Sequence, residues 1–265
     1  MSRWDRIDGI VDVEELAEKH VLVVGLGSGG STVALELAKA GVGRLTLVDP
    51  DTLEPVNLVR HECDGRYLGS GKAAAVAELV RLRNPNAEVE VLRADVFALG
   101  GRLASVVSSA DLVAGCTDSE PPKHLVNRLC VKSGVPAVYA GVYERGVGGE
   151  VLLCGGEPED PCYACLTSVL KEAAPVPGSE EAADYGAPAE GVSGLGLDVR
   201  LVALLHAKVC LLSLLGRAAE LAGDVVLFGN EAVEGLFPRP FASAILDVAP
   251  QADCLVCTPL RRVVA

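Results

Sequence analysis

Residues 21–41, VLVVGLGSGGSTVALELAKAG, carry the pattern that decides the fold. They begin with four apolar residues, which suits a strand that is buried on both faces of a parallel sheet. A run of glycines follows, and apolar residues then recur at the helical spacing of Val33, Leu37 and Ala40 before Gly41 closes the helix. The stretch therefore predicts a strand, a glycine turn and a helix in direct succession.

The glycine turn has the spacing of a phosphate-binding loop. Gly25, Gly27 and Gly30 satisfy G-x-G-x-x-G, and Gly29 adds a fourth glycine. In this pattern the first glycine permits a tight turn, the second lets the backbone approach a phosphate, and the third lets helix and strand pack closely. The N–H groups at the helix N-terminus then face the anion. The motif alone does not separate NAD, FAD, S-adenosylmethionine and ATP, and glycines kept only for the turn are the simpler alternative.

Strands and helices alternate as far as residue 145. RLTLVD, EVEVLRAD, ADLVAGCTD and VPAVYAG are typical of strands. Helices are expected from about Gly71 to Asn84-Pro85, near 102–108 and near 122–132. This alternation favours a Rossmann-like, mostly parallel sheet with helices on both faces.

The pattern changes past Gly146. GVGGEVLLCGG predicts a strand that leaves the alternation, and DVVLFG and FASAILDV predict short strands of an antiparallel extension. Asp198 to Leu215 is an expected apolar helix that ends at Gly216. Residues 172–191 are rich in Pro, Gly, Ala and acid, which is typical of a mobile loop.

The composition fits one large α/β domain. The chain has 265 residues, of which 50% are apolar, enough to bury a sizeable core. Its 23 Lys and Arg against 36 Asp and Glu give a net charge of −13, which disfavours binding to nucleic acid or to an anionic membrane. The sequence has neither a signal-peptide pattern nor an uncharged apolar run of about 18 residues. From these two observations we expect a cytoplasmic location, and the odd number of cysteines, nine, predicts reduced thiols.

A cluster of acids and cations follows the second predicted strand. VDPDTLEPVNLVRH, residues 48–61, places Asp49 at the strand end, where it can accept hydrogen bonds from the ribose of NAD or of ATP. A triphosphate under attack at its α-phosphate needs cations and hydrogen-bond donors, whereas a nicotinamide cofactor has no comparable need there. Each charge alone could be an exposed surface residue, but the set favours ATP. The nucleotide-binding candidates of this cluster are Asp49, Asp51, Asn57, Arg60 and Lys72.

Asp118 lies just past the end of the strand ADLVAG. This position belongs to the carboxyl edge of the predicted sheet, where open α/β folds bind ligands. An acid there can hold Mg²⁺ against phosphates or orient a nucleophile. The alternative is that Asp118 caps the next helix, and the two roles are compatible.

Two C-x-x-C pairs predict a metal site. Cys162 with Cys165 and Cys254 with Cys257 supply four thiolates, which satisfy a tetrahedral Zn²⁺ and leave no position open for water. Such a zinc would be structural and would staple the segment after the sheet to the C-terminal segment. The alternative of a redox pair lacks a thioredoxin-like βαβ context. The other cysteines, Cys116 and Cys210 among them, are expected to be small buried apolar residues.

The motifs GLGSGG, VDPDTLEPVNLVRH, GKAAA, NPNAEV, CTDS, CYACL and CLVC occur in the order seen in the ThiF/MoeB/HesA family, whose members resemble ubiquitin-activating enzymes. The resemblance covers nearly the whole chain. It implies ATP- and Mg²⁺-dependent adenylation of the C-terminal carboxylate of a ubiquitin-like or sulfur-carrier protein that ends in a Gly-Gly-like tail. The roles it implies are the ribose for Asp49, backbone approach to the nucleotide for Gly27 and Gly29, the phosphates for Asn57, Arg60 and Lys72, and the magnesium or the reacting centre for Asp118.

The resemblance also implies a homodimer. In this family an R-x-x-R element near the N-terminus sends an arginine into the partner's site, and Arg3-Trp-Asp-Arg6 is similar to it, so Arg6 is a candidate catalytic residue. The implied organisation is a single domain with an N-terminal arm at 1–20, a nucleotide-binding half at 21–145 and a substrate and zinc half at 146–265.

Two features depart from that family. Many members carry a nucleophilic cysteine between the first zinc pair and the following helix, but residues 166–197 contain none. We therefore expect adenylation without a loop thioester, and Cys210 is the first suspect if a thioester forms. His61 stands where glutamine is common, and we expect a surface imidazole. The alternatives are adenylation of a peptide terminus or another carboxylate, with a tRNA-linked one disfavoured by the acidic charge, and an NAD-dependent oxidoreductase.

Overall fold

A computed structural model describes residues 3–157, 159–173 and 193–259. Within these residues the chain forms one sheet of eight strands in the order β3-β2-β1-β4-β5-β6-β7-β8. The pairs from β3 to β5 are parallel, and those from β5 to β8 are antiparallel, which confirms the predicted extension. The strands are β1 His20–Val24, β2 Arg44–Val48, β3 Glu88–Leu92, β4 Leu112–Gly115, β5 Ala137–Val142, β6 Gly148–Cys154, β7 Val225–Gly229 and β8 Ser243–Leu246.

Helices cover both faces of the sheet. They are α1 Val13–Glu18, α2 Ser28–Ala40, α3 Lys72–Arg83, α4 Val96–Leu99, α5 Gly101–Ser109, α6 Glu120–Ser133, α7 Tyr163–Ala173 and α8 Gly196–Leu214. Short 3₁₀ turns lie at Pro55–Asn57, Gly65–Tyr67 and Ala218–Leu221. None of the described helices is long and apolar enough to cross a lipid bilayer.

The apolar run of β1 is continuous because both faces of the strand are buried. Successive side chains of a strand point to opposite faces. Val21 and Val23 accordingly join the apolar cluster under α2, α3 and α8, whereas Leu22 and Val24 join the cluster under α5, α6 and α7. The mostly parallel sheet with helices on both faces is therefore confirmed.

Several predicted boundaries change by a few residues. The expected helix at 198–215 begins at Gly196, and residues 172 and 173 of the expected mobile loop belong to α7. The remainder of that loop, residues 174–191, lies outside the described residues. Residues 13–18 of the predicted N-terminal arm form α1, whose Leu16 is fully buried in the core.

The strand order reverses between β1 and β4. The chain moves outward from β1 through β2 to β3, and then returns to the other side of β1 to form β4 and β5. Loops that leave the carboxyl ends of β1 and β4 therefore diverge and open a crevice, which is where ligands bind in open α/β sheets.

Candidate active site

The glycine loop lies at this crevice and is closely packed on one side only. Gly25 has a φ of +90°, and a Cβ there would lie 2.9 Å from the backbone of Cys116. A Cβ on Gly30 would lie 1.8 Å from the carbonyl oxygen of Gly25, so only glycine lets α2 approach the turn so closely. Gly27 and Gly29 have no atom within 4 Å of their Cβ positions and leave the N-terminus of α2 open.

Asp49 joins the end of β2 to the glycine loop. One carboxylate oxygen accepts a hydrogen bond from the N–H of Leu26 at 2.6 Å, and the other accepts one from the N–H of Asp51 at 2.8 Å. The side chain is buried, and burial raises the pKa of Asp49, while the two backbone hydrogen bonds and Lys72 act in the opposite direction. A carboxylate has about four acceptor positions, so two remain for a ligand hydroxyl.

Lys72 is held by Asp51. Its Nζ lies 2.8 Å from an Asp51 carboxylate oxygen, and its backbone N–H donates to the Asp51 carbonyl at 2.9 Å. Lys72 is the first residue of α3, and its side chain is 13% exposed. The start of the helix therefore fixes the position from which the ammonium group reaches the crevice. The two residues, 21 positions apart in the sequence, form one unit in the structure.

Asn57 and Arg60 come from the turn after β2. The Asn57 side-chain oxygen accepts a hydrogen bond from the Glu54 N–H at 2.9 Å, which orients the amide. Arg60 is half-buried just beyond this turn. Asp118 follows β4 and is exposed. The alternative role of Asp118 as a helix cap is not observed, because the residue before α6 is Ser119, whose own side chain does not cap the helix.

These residues surround one cleft of about 620 Å³. The predicted site residues that line it are Gly25, Gly27, Gly29, Asp49, Asp51, Asn57, Arg60, Lys72 and Asp118. Gly30 packs beneath the loop instead. Arg6 is exposed on the N-terminal segment and does not line the cleft of its own chain.

The cleft continues beyond Asp118 into a second half that the sequence did not predict. Its wall comes from the start of α6, the ends of β5 and β6, and the middle of α8. The polar residues there are Glu120, Lys123, Tyr143, Glu150 and His206. The sequence does mark Glu150 as unusual, because it is the one acid in the apolar strand GGEVLLC. The others depend on contacts between elements that are distant in the sequence.

His61 is a buried structural residue, so the expectation of a surface imidazole was wrong. It is 7% exposed. Its Nε2 donates to the Leu26 carbonyl at 2.7 Å, and its Nδ1 accepts from the Cys63 N–H at 3.0 Å. A carbonyl only accepts and an N–H only donates, which fixes this neutral tautomer. Burial lowers the pKa of His61, so the imidazole clamps the glycine loop in its neutral form.

Two single cysteines differ from expectation. Cys116 is only half-buried, lines the cleft, and has its Sγ 3.8 Å from His206 Nδ1, so it is not the simple core residue that was expected. Cys210 is fully buried in α8, where a protein carboxylate has no route to it, so it is not a credible thioester site in this conformation. Burial raises the pKa of Cys116 to about 12, which keeps this thiol protonated.

The two C-x-x-C pairs meet in one buried cluster. Sγ of Cys162 lies 3.9 Å from that of Cys165 and 3.7 Å from that of Cys254, and Cys165 lies 3.5 Å from Cys257. Four sulfurs around one Zn²⁺ at about 2.3 Å stand about 3.8 Å apart in a tetrahedron, whereas a disulfide needs about 2.05 Å. The Gln251 N–H also donates to Cys165 Sγ at 3.4 Å. The donor set and spacing fit zinc.

Comparisons with known proteins identify the family of the chain. The ThiF family model matches residues 2–240. The chain is 33% identical over 231 residues to adenylyltransferase and sulfurtransferase MOCS3 of Sus scrofa, which covers 87% of this chain and 47% of that protein. It is 31% identical over 160 residues to molybdopterin-synthase adenylyltransferase of Escherichia coli K12, covering 60% and 63%. It is 35% identical over 164 residues to SAMP-activating enzyme E1 of Haloferax volcanii, covering 61% and 58%. The chain thus spans about half to two thirds of the length of these relatives.

The fold also has solved counterparts. E. coli MccB, in a crystal structure with AMPCPP and MccA, has a TM-score of 0.74 against this chain at 17% identity. That similarity covers 97% of this chain and 74% of the MccB chain. At this identity the likeness shows a shared fold.

Proposed function

The chain belongs to the ThiF family, and from this membership and the chemistry of its cleft we propose that it adenylates the C-terminal carboxylate of a ubiquitin-like or sulfur-carrier protein. ATP is the nucleotide, and the carrier's tail ends in Gly-Gly or a similar sequence. The names of two relatives, molybdopterin-synthase adenylyltransferase and SAMP-activating enzyme E1, support this class of reaction.

The observation that carries the proposal is the gathering of an acid, two cations and an open glycine loop in one cleft. Asp49 offers acceptors for the ribose hydroxyls beside the loop. Arg60 and Lys72 reach the same cleft from two different segments and supply a planar fork and a point charge for phosphates. Asn57 adds an oriented amide. A nicotinamide cofactor does not need this set of cations and hydrogen-bond donors, which argues against an NAD-dependent oxidoreductase.

The reaction follows from that arrangement. A carboxylate oxygen of the tail attacks the α-phosphorus of ATP, the bond from phosphorus to the oxygen bridging to the β-phosphate breaks, and pyrophosphate leaves with the bonding electrons. Arg60 and Lys72 stabilise negative charge as it moves toward the leaving group. The acyl adenylate then passes to an external acceptor, because the loop at 166–197 has no cysteine and Cys210 is enclosed.

Asp118 would hold Mg²⁺. It is exposed at the carboxyl edge and lines the cleft, and a carboxylate beside substrate phosphates is the usual protein ligand for this ion. When bound, the ion supplies charge neutralisation on the phosphate oxygens. The Asp118 carboxylate would hold the ion at the carboxyl edge of β4.

A homodimer is part of the proposal, with Arg6 of each chain entering the cleft of the other. Arg6 is exposed and absent from its own cleft. Complementation tests this: Arg6→Ala and Asp118→Ala homodimers should both be inactive, while a mixture should regain activity. In the mixed dimer, the chain with an intact Asp118 receives Arg6 from its partner. A mixture that stays inactive while exchanging subunits contradicts the arginine donation.

Zinc is proposed for the four-cysteine cluster. Its role would be structural, joining the start of α7 to the segment around Cys254 and Cys257. All nine cysteines are free of disulfides, which suits the reducing cytoplasm that we propose as the location. The division into an arm (1–20), a nucleotide half (21–145) and a substrate and zinc half (146–265) is proposed on the same basis.

ATP–pyrophosphate exchange tests the function. Exchange should require a carrier protein that ends in Gly-Gly, and Asp118→Ala and Arg60→Ala should abolish it. Arg217→Ala is the matched control, because this exposed arginine pairs with Glu220 away from the cleft. Exchange that survives both cleft substitutions rejects the roles proposed for Asp118 and Arg60. NAD that binds more tightly than ATP would favour the oxidoreductase.

A peptide is the second candidate substrate. The specific observation is the fold shared with E. coli MccB, which was solved with AMPCPP and MccA. Exchange with a short peptide, and none with any carrier protein, would favour that class.

A further inference from the structure

Glu150 is a charged residue in the cleft that the adenylation chemistry does not use. It lies on β6, directly opposite Gly141 of β5 in the antiparallel register. A Cβ on Gly141 would lie 2.3 Å from Glu150 Oε1, so the side chain lies across this glycine. Gly141, Glu150 and Tyr143 all line the second half of the cleft. The strand pairing therefore places one carboxylate in the wall of the second half of the cleft.

Lys123, the cation that lowers the pKa of Glu150, is already paired with another acid. Lys123 Nζ lies 3.2 Å from Glu120 Oε1, and the Tyr163 hydroxyl donates to both Glu120 oxygens at 2.9 Å. Glu150 has the Tyr143 hydroxyl as its hydrogen-bond donor, and among the described residues it forms no ion pair. Burial raises the pKa of Glu150, and Tyr143 and Lys123 compensate the charge only in part. Glu150 is half-buried, and an acid partly withdrawn from water without a cation costs folding free energy unless a ligand completes it.

The position of Glu150 fixes the part of the tail that it can meet. Asp118 follows β4, and β5 separates β4 from β6. Two strand spacings amount to roughly 10 Å, which is about three residues of extended chain. If the terminal carboxylate reacts beside Asp118, the third residue from the C-terminus reaches the level of Glu150. In a tail that ends in Gly-Gly, this is the residue directly before the two glycines.

We propose that Glu150 selects substrate tails with a cationic side chain, Arg or Lys, immediately before the terminal Gly-Gly. The inference rests on the proposed function, because it takes the reacting carboxylate to lie beside Asp118. The tail cation replaces the ion pair that Glu150 lacks within the described chain, and Tyr143 keeps the carboxylate oriented toward the cleft. Tails with Leu or Glu at this position gain no such pair, and Glu adds repulsion.

Fluorescent heptapeptides ending in Arg-Gly-Gly, Leu-Gly-Gly and Glu-Gly-Gly test the preference. Their affinities are measured by fluorescence anisotropy in the presence of a non-hydrolysable ATP analogue. The Arg peptide should bind the wild-type protein between about tenfold and a hundredfold more tightly than the Leu peptide, the range for a hydrogen bond to a charged group. The Glu peptide should bind most weakly.

Glu150→Gln should abolish the difference between the Arg and Leu peptides, because glutamine keeps the size and the Tyr143 contact but removes the charge. Glu144→Gln is the matched control. It makes the same change on the exposed residue after Tyr143, which does not line the cleft, and should keep the preference. Equal affinities for the Arg and Leu peptides in the wild-type protein, or an unchanged ratio in Glu150→Gln, would overturn the proposal. Pyrophosphate exchange with a Gly-Gly carrier is measured separately, so a failed preference and a failed adenylation activity are distinguishable.

Discussion

Acid should destabilise the protein through His206, and replacing this residue should remove that effect. His206 lies on α8, is 2% exposed, and has its Nε2 3.0 Å from the Val138 carbonyl oxygen, to which it donates. Burial is the main cause that lowers its pKa from 6.5 to about 4, and Lys123 lowers it further. His206 therefore becomes protonated below pH 6.5 in the unfolded chain, but only below about pH 4 in the folded chain.

The sign and the size of the pH effect on stability follow from this difference in pKa. The unfolded state binds more protons between pH 6.5 and pH 4, so the stability that His206 contributes is fully present above pH 6.5 and is lost as the pH falls. The pKa values differ by 6.5 − 4, or about 2.5, which corresponds to about 3.4 kcal/mol in total. The part lost between pH 8 and pH 5 is about 2 kcal/mol.

Urea unfolding at pH 8 and pH 5 measures this loss. His206→Gln keeps an amide N–H for the Val138 carbonyl but has no group that titrates, so its stability should fall by about 2 kcal/mol less than that of the wild-type protein. His124→Gln is the control, because that imidazole is 38% exposed on α6 and should change the pH dependence much less. Equal losses in wild type and His206→Gln would show that the buried imidazole does not oppose protonation, and the reasoning would fail.

Three further predictions concern other parts of the chain. Gly30→Ala should abolish soluble, nucleotide-binding protein because its Cβ would meet the Gly25 carbonyl oxygen. Gly65→Ala is the control, because it has open space around it and should leave the melting temperature nearly unchanged. Normal ATP binding by Gly30→Ala would contradict the packing argument. Lys72→Ala should weaken ATP binding about tenfold to a hundredfold in calorimetry, the range for a lost charged hydrogen bond, and an unchanged affinity would remove Lys72 from the phosphate site. Elemental analysis should find one zinc per chain, and a strong chelator should lower the melting temperature; zinc-free protein of equal stability would reject the structural metal.

The residues at the carboxyl edge of the parallel strands could be predicted from the sequence, because their positions follow from local patterns. Asp49 and Asp118 each follow an apolar strand, and parallel strands end at the same edge. Lys72 opens a helix with a clear N-terminal boundary. Strand ends and residue types can both be read from the sequence, so the residues of the first half of the cleft could be predicted from it.

The second half of the cleft could not be predicted in this way. Glu150 faces the cleft because β6 pairs antiparallel with β5 in one particular register, and His206 reaches Val138 because α8 crosses the sheet. His61 was misjudged for a related reason. Its burial depends on the turn after β2 folding back beneath Leu26, and no residue type near His61 signals that contact. Contacts between distant elements, rather than local propensity, set these three environments.

The charge balance of the cleft connects the nucleotide, the metal and the second subunit. Among the described lining residues, six acids face three cations: Asp49, Asp51, Asp95, Asp118, Glu120 and Glu150 against Arg60, Lys72 and Lys123. A triphosphate adds about four negative charges to a cleft that is already acidic, and repulsion between like charges in a partly buried site is costly. Both lysines are, moreover, paired with acids of their own chain. We therefore propose that productive ATP binding draws on positive charge from outside this chain, which a divalent cation at Asp118 and Arg6 of a second copy would supply. On this proposal, an isolated chain would bind ATP weakly and would not consume it without its partner.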